Sequence, residues 1–269
     1  MFIRLHWWKE FRADGLQNYG DLMSLYLVKK LSKKIVFSTR SKSNKYLKKI
    51  IKPYYIVIGS VIGAASENAI IWGSGIISKD QIVNNAKFLA VRGPQTRKRL
   101  LELNYKVPEV YGDPAILLPN FIKDDVVKKY DIGIIPHFVD YQIVKKAIIE
   151  DSSIKVINLL TNSIEKTTKE ILECKSIISS SLHGLIVGQA YGIESLWVKF
   201  SNNLSGDDIK FFDYYQSMKI DFKNVVEMDP KKLNKKQLTE ALIDCKEVLL
   251  PNIVVLKDRQ EGLIVSCPF

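Results

Sequence analysis

The sequence predicts an α/β fold of two lobes, each a parallel sheet covered by helices, facing one another across a cleft. Three observations carry this. Short apolar runs alternate with stretches of helical periodicity along most of the chain, which is the pattern of parallel strands joined by crossover helices. The alternation restarts after Phe121, predicting lobes over 1–122 and 123–269, with terminal helices bracing the two. The Gly, Ser, Asp, Arg and His clusters fall where strands end and helices begin, which is where open α/β sheets bind ligands.

In order, residues 2–5 read as a strand, and Gly20-Asp21 opens a helix with Leu22, Leu25, Val28 and Leu31 at helical spacing. Strands follow at 35–37, 54–58 (running into Gly59-Ser60), 70–72 (ending in Gly73-Ser74-Gly75) and 88–91 (ending in Arg92-Gly93). Pro94 suits the first turn of the next helix, because its missing N–H is not needed there. A short strand at Val110-Tyr111 leads to Gly112-Asp113-Pro114. The second lobe reads as a strand at 132–135 stopping at Pro136-His137, a helix over 141–150, a strand at 155–158 and a helix over 163–173. A strand at 176–179 then ends in Ser180-Ser181-Leu182-His183-Gly184. The helix after it carries Gly184, Gly188 and Ala190, small enough for close packing. A strand at 196–198 follows, and the last third is mostly helical.

Composition narrows the class. Of 269 residues, 46% are hydrophobic, enough for a packed core. No run approaches the ~20 consecutive apolar residues of a membrane span, and the first residues lack the basic-then-apolar pattern of a secretory signal. Cys174, Cys245 and Cys267 are unpaired by spacing, as expected in a reducing compartment. A cytoplasmic protein is the expectation. The net charge of +11 is uneven: residues 29–52 hold ten basic side chains and no acidic one. Such a run is a solvated face or a peripheral contact with anionic lipid. Nucleic acid ranks last, because no base-stacking module is present.

Five clusters could carry chemistry. Asn18-Tyr19-Gly20-Asp21 is either a turn whose Asp caps a helix or a ligand contact through Asn18 and Gly20. Arg92 directly follows an apolar strand, and its fork suits a phosphate or carboxylate; the competing reading is a surface Arg folded over the strand end. Asp113 could orient an Arg or His, take a proton from a hydroxyl, or simply make a turn. His137 is an acid or base by type, or a structural hydrogen-bond partner. Ser179-Ser180-Ser181-Leu182-His183-Gly184 offers an anion site at a helix start with a proton donor beside it; otherwise His183 caps or packs that helix. The Gly-x-Ser-x-Gly elbow of Ser–His hydrolases is missing. His6, His137 and His183 lack ligand spacing, so no metal is expected.

Taken in order, Asn18-Tyr19-Gly20-Asp21, Trp72-Gly73-Ser74-Gly75, Val91-Arg92-Gly93-Pro94, Gly112-Asp113-Pro114, Ile135-Pro136-His137, Leu182-His183-Gly184 and Phe211-Phe212-Asp213-Tyr214-Tyr215 resemble the polysaccharide pyruvyl transferase family. The resemblance implies two Rossmann-like lobes of the GT-B type. It implies phosphoenolpyruvate as donor and a sugar as acceptor, expected to be lipid-linked, in exopolysaccharide or capsule biosynthesis. The product would be a pyruvate ketal, made with no cofactor beyond that co-substrate. His183 is implied as general acid, with Asp113 or Asp21 as the carboxylate that takes a hydroxyl proton. Arg92 is implied in donor binding, and Ser180, Ser181, Gly184, Gly73 and Ser74 are expected beside it. Asn18, Asp21 and His137 are expected to touch acceptor or donor. The pattern departs at Ser181, where several relatives carry Arg, so another group must supply that charge: Arg92, helix N–H groups or an unidentified Lys. The rival on the same fold is a glycosyltransferase using a nucleotide sugar; a non-catalytic sugar-binding module ranks third.

Overall fold

The structure, a computed structural model, describes residues 2–10, 12–40, 53–148 and 151–269. Met1, Glu150 at the end of one expected helix, and positions 41–52 of the basic run lie outside the described residues.

The first half runs β1 (Phe2–His6), β2 (Gln17–Asn18), α1 (Tyr19–Ser32), β3 (Ile35–Ser38), β4 (Tyr54–Ile56), β5 (Ala69–Trp72), β6 (Lys87–Ala90) and α2 (Pro94–Glu102). A 3-10 segment, Pro114–Asn120, leads into β7 (Tyr130–Ile135). There follow α3 (Tyr141–Ala147), β8 (Ile154–Val156), β9 (Leu160–Thr161), α4 (Ile164–Leu172), β10 (Cys174–Ser179), α5 (Leu182–Ala190) and β11 (Glu194–Lys199). The chain closes with α6 (Ile209–Ser217), β12 (Val226–Glu227), α7 (Lys235–Asp244) and α8 (Ile253–Val265).

Two five-stranded sheets result, in the orders β3-β1-β4-β5-β6 and β12-β11-β10-β7-β8. Every pairing within them is parallel. Renumbered within each sheet, both orders read 2-1-3-4-5, a doubly wound Rossmann-like arrangement whose strand order reverses beside the first strand. The reversal lies between β1 and β4 in one sheet and between β7 and β10 in the other. The strand expected at Val110-Tyr111 is only an isolated bridge between Val91 and Tyr111. Gly112, at φ +141°, turns the chain away, and Pro114 has no N–H with which to extend a ladder.

The halves share a core. One apolar cluster includes Leu5, Met23 and Trp72 from the first and Ile177, Leu185 and Trp197 from the second. The Pro114–Asn120 segment packs on α5, and α6 packs on α2. Helix α8 ties back to the first half: Trp72 Nε1 donates to Leu263 O at 3.1 Å, and Gln260 Nε2 donates to Ile116 O at 2.8 Å. Among the described residues the only pairing between the halves at strand level is antiparallel, β2 with β9. Among the described residues no helix is long and apolar enough to cross a membrane.

Candidate active site

Both strand-order reversals open onto one cavity of about 710 Å³. His6 and Trp8 enter it after β1, Gly59 and Ser60 after β4, His137 and Phe138 after β7, and Ser180, Ser181 and His183 after β10. Asn18 and Asp21 reach it from the start of α1, and Lys210 from the start of α6. This is where crossover topology leaves strand ends and free helix N–H groups unobstructed.

His183 lies in the first turn of α5, its side chain only 11% exposed, with Nε2 facing Asp113 Oδ2 at 3.5 Å. Asp113 is fully buried. Its other oxygen accepts from Ala115 N at 3.0 Å, capping the 3-10 segment. The turn reading of Asp113 is met by that oxygen, while the other faces His183 at 3.5 Å. Neither Asp113 Oδ2 nor His183 Nε2 has a hydrogen-bond partner among the described residues. Nδ1 of His183 lies against Gly20, where any added Cβ would overlap it. The missing Cβ is what admits the His183 ring against the start of α1. His183 thus sits between a buried carboxylate and the backbone of Gly20, in the wall of the cavity.

Asn18 caps α1, its side chain accepting from Gly20 N at 3.0 Å. Asp21, one residue further on, is the more perturbed group. Burial pushes its carboxyl up to about 7, against a downward pull from His183. Burial also brings Lys210 down to about 8, with the Arg92 charge adding to the effect. His137 is driven down to about 4, by burial first and then by Lys210. Ser180 is fixed at the β7–β10 reversal, where its Oγ accepts from His137 N at 2.8 Å. Three ionisable groups with displaced protonation in one cavity mark it as a chemical site.

The structure puts other expected residues behind the cavity wall. Arg92 is fully buried. Nε meets Asp213 Oδ2 at 3.0 Å, NH1 donates to Ser60 Oγ at 2.7 Å and NH2 donates to Ile76 O at 2.7 Å. The guanidinium expected to face an anion instead faces Asp213 and holds Ser60, which does line the cavity. Ser74 is likewise buried, its Oγ donating to Gly59 O at 2.7 Å. Gly73, at φ +91°, lets Pro114 close on it. Gly184 admits Ser179 Oγ and Ile135, seating α5 on β10 and β7. These three shape the loops beside the cavity without lining it. Trp8 and Lys210 are residues that sequence reasoning passed over; His6 was weighed only as a metal ligand, and Ser60 and Asp213 were named without a role. Lys210 carried a signal: it is a cation in the first turn of a helix, where the macrodipole disfavours positive charge.

Comparison with known sequences adds an independent finding. A sequence model of the family described as polysaccharide pyruvyl transferase matches residues 18–202. An uncharacterized protein of Acanthamoeba polyphaga mimivirus is 32% identical over 204 residues, covering 73% of this chain and 69% of the viral protein. The family match contains Asn18, Asp21, Arg92, Asp113, His137 and His183; it ends before Lys210 and Asp213.

Proposed function

The chain belongs to the polysaccharide pyruvyl transferase family, and on that premise we propose that it moves the pyruvyl group of phosphoenolpyruvate onto a saccharide, expected to be lipid-linked, as a ketal with release of inorganic phosphate. The observation that carries the reading is the His183–Asp113 pair, 3.5 Å apart, in the wall of a cavity that also holds Lys210 and the serines at the start of α5.

The chemistry fits those side chains. Asp113 holds Nε2–H of His183, and the Nδ1 proton passes to C3 of the enol. C3 becomes the methyl group and C2 gains cationic character. A saccharide hydroxyl attacks C2, and its proton passes to the Asp21 carboxylate, which is poised near neutrality. Phosphate leaves from C2, taking up the proton held by Asp21, and a second hydroxyl closes the ketal, its proton returning to Nδ1 of His183. A positioned acid supplies ~10²–10⁴-fold of the rate. Lys210 and the free N–H groups at the start of α5 hold the phosphate. Lys210 thus supplies the positive charge that Ser181 cannot. Arg92 acts one step removed, through Ser60.

The test uses the full chain with phosphoenolpyruvate and a panel of lipid-linked saccharides, reading phosphate release and product mass. The expected product gains pyruvate minus water. His183→Gln is expected to lose at least ~100-fold in turnover while keeping its melting curve and its phosphoenolpyruvate binding. A wild-type protein that leaves phosphoenolpyruvate intact, yet releases nucleoside diphosphate from sugar nucleotides, would overturn the proposal in favour of glycosyl transfer.

A further inference from the structure

We propose that Trp8, Phe138 and Arg40 form the saccharide end of this cavity, and that it takes a pyranose carrying an anionic substituent, either a phosphate or a carboxylate. The inference rests on the pyruvyl-transfer reading for calling that saccharide the acceptor and for the size of the donor beside it.

Size requires a second occupant. At about 710 Å³ the cavity lies in the upper part of the ~300–1,000 Å³ range of ligand sites, and a three-carbon phosphate ester fills a small part of it. The groups assigned to the donor phosphate come from the starts of α5 and α6. The remaining wall mixes polar and apolar groups, Glu10 among them, and holds two aromatic side chains: Trp8 enters after β1 and Phe138 after β7, one from each sheet. Trp8 is 48% exposed, whereas Trp7 is 7% exposed and Trp72 and Trp197 are fully buried. A rigid, uncovered indole in a ligand cavity presents a negative ring face to the partly positive C–H face of a pyranose.

Charge selects among pyranoses. The Arg40 guanidinium sits 4.9 Å from the Trp8 ring centroid and lines the same cavity. The guanidinium of Arg12 sits 5.9 Å from the Phe138 centroid, but Arg12 is neutralised by Asp14 at 3.1 Å. Arg40 has no carboxylate in ion-pair reach among the described residues, and positions 41–52 contain no acidic side chain. An unneutralised guanidinium beside a stacking platform fits an anionic group on the stacked sugar.

The exposures give a readout that needs no turnover. Acrylamide reaches exposed indoles, so the quenchable tryptophan emission belongs to Trp8. The full chain, without phosphoenolpyruvate, is titrated with glycosyl phosphates, with methyl glycosides of the same hexoses, with hexuronate methyl glycosides and with inorganic phosphate. Glycosyl phosphate or hexuronate is expected to shield Trp8 at ~10-fold lower concentration than the neutral glycoside; whichever does so identifies the anion. Arg40→Gln is expected to abolish that preference, and Phe138→Ala to weaken every sugar together. Shielding by inorganic phosphate alone, equal shielding by neutral and anionic sugars, or a preference unchanged in Arg40→Gln overturns the proposal. A protein that shields Trp8 with anionic sugars yet never consumes phosphoenolpyruvate keeps this site and loses the transfer reading.

Discussion

Asp213→Ala tests whether Arg92 is a structural clamp. Both side chains are fully buried and meet at 3.0 Å. Asp213 also accepts from Thr96 N at 3.0 Å and Thr96 Oγ1 at 2.6 Å, so one carboxylate joins α6 to the start of α2. Gly93 permits this approach, since a Cβ there would overlap the Asp213 backbone. Truncating the carboxylate leaves a guanidinium sealed from water with only Ser60 and the Ile76 carbonyl for partners. Breaking one side of a buried pair costs ~3–5 kcal/mol. At roughly 2–3 °C per kcal/mol for a chain of this size, the melting temperature should fall by roughly 6–15 °C. Removing both charges should restore much of the loss, because the penalty lies in the stranded charge rather than in the missing attraction. Arg92→Met with Asp213→Ala should therefore melt above Asp213→Ala alone, as read by calorimetry. It should remain impaired in catalysis, because Ser60 has lost the donor that holds it. A single variant that melts like the wild type, or a double variant that melts below the single, would refute the clamp.

Lys210→Met is expected to raise the apparent KM for phosphoenolpyruvate at least ~10-fold with a smaller effect on kcat, and Lys210→Arg to restore part of it; an unchanged donor KM in a folded variant removes Lys210 from the phosphate. Asp21 predicts two pH effects. As a base whose carboxyl sits at about 7, it should give kcat/KM an ascending limb near neutrality that Asp21→Asn abolishes. Its folded-state value lies above the ordinary 3.8, so the native state binds the extra proton between the two and stability falls as pH rises across that window. Urea titrations of Asp21→Asn should show a flatter profile from about pH 4 to 7; an unchanged slope means that the carboxyl is not perturbed.

What the sequence made legible follows from distance along the chain. Strand ends are local events, so Gly20-Asp21, Asp113, His137 and Ser180 to His183 were readable as clusters, and the 2-1-3-4-5 sheets bring them together. Asp113 was read both as a turn residue and as a His partner because an Asp-Pro turn and a buried carboxylate look alike in sequence; one oxygen makes the turn and the other faces His183 at 3.5 Å. Arg92 was read correctly as a cation after an apolar strand, but its anion lies 121 positions away in Asp213, and no local pattern connects them. The buried pair explains why an Arg directly after a strand need not face a ligand. The opposite holds for Lys210, which makes no ion pair among the described residues; its Nζ lies 3.4 Å from Ser205 O and 5.5 Å from the Phe211 ring centroid. A cation in the first turn of α6 opposes the helix dipole, and burial opposes its charge again. A bound anion would offset both costs, which is the role the proposed donor site gives Lys210. Ser181, at the start of α5, brings no charge to the cavity, and Lys210 reaches the same cavity from the start of α6. On the proposed reading, folding rather than sequence position makes Lys210 the cation that the Ser181 position lacks.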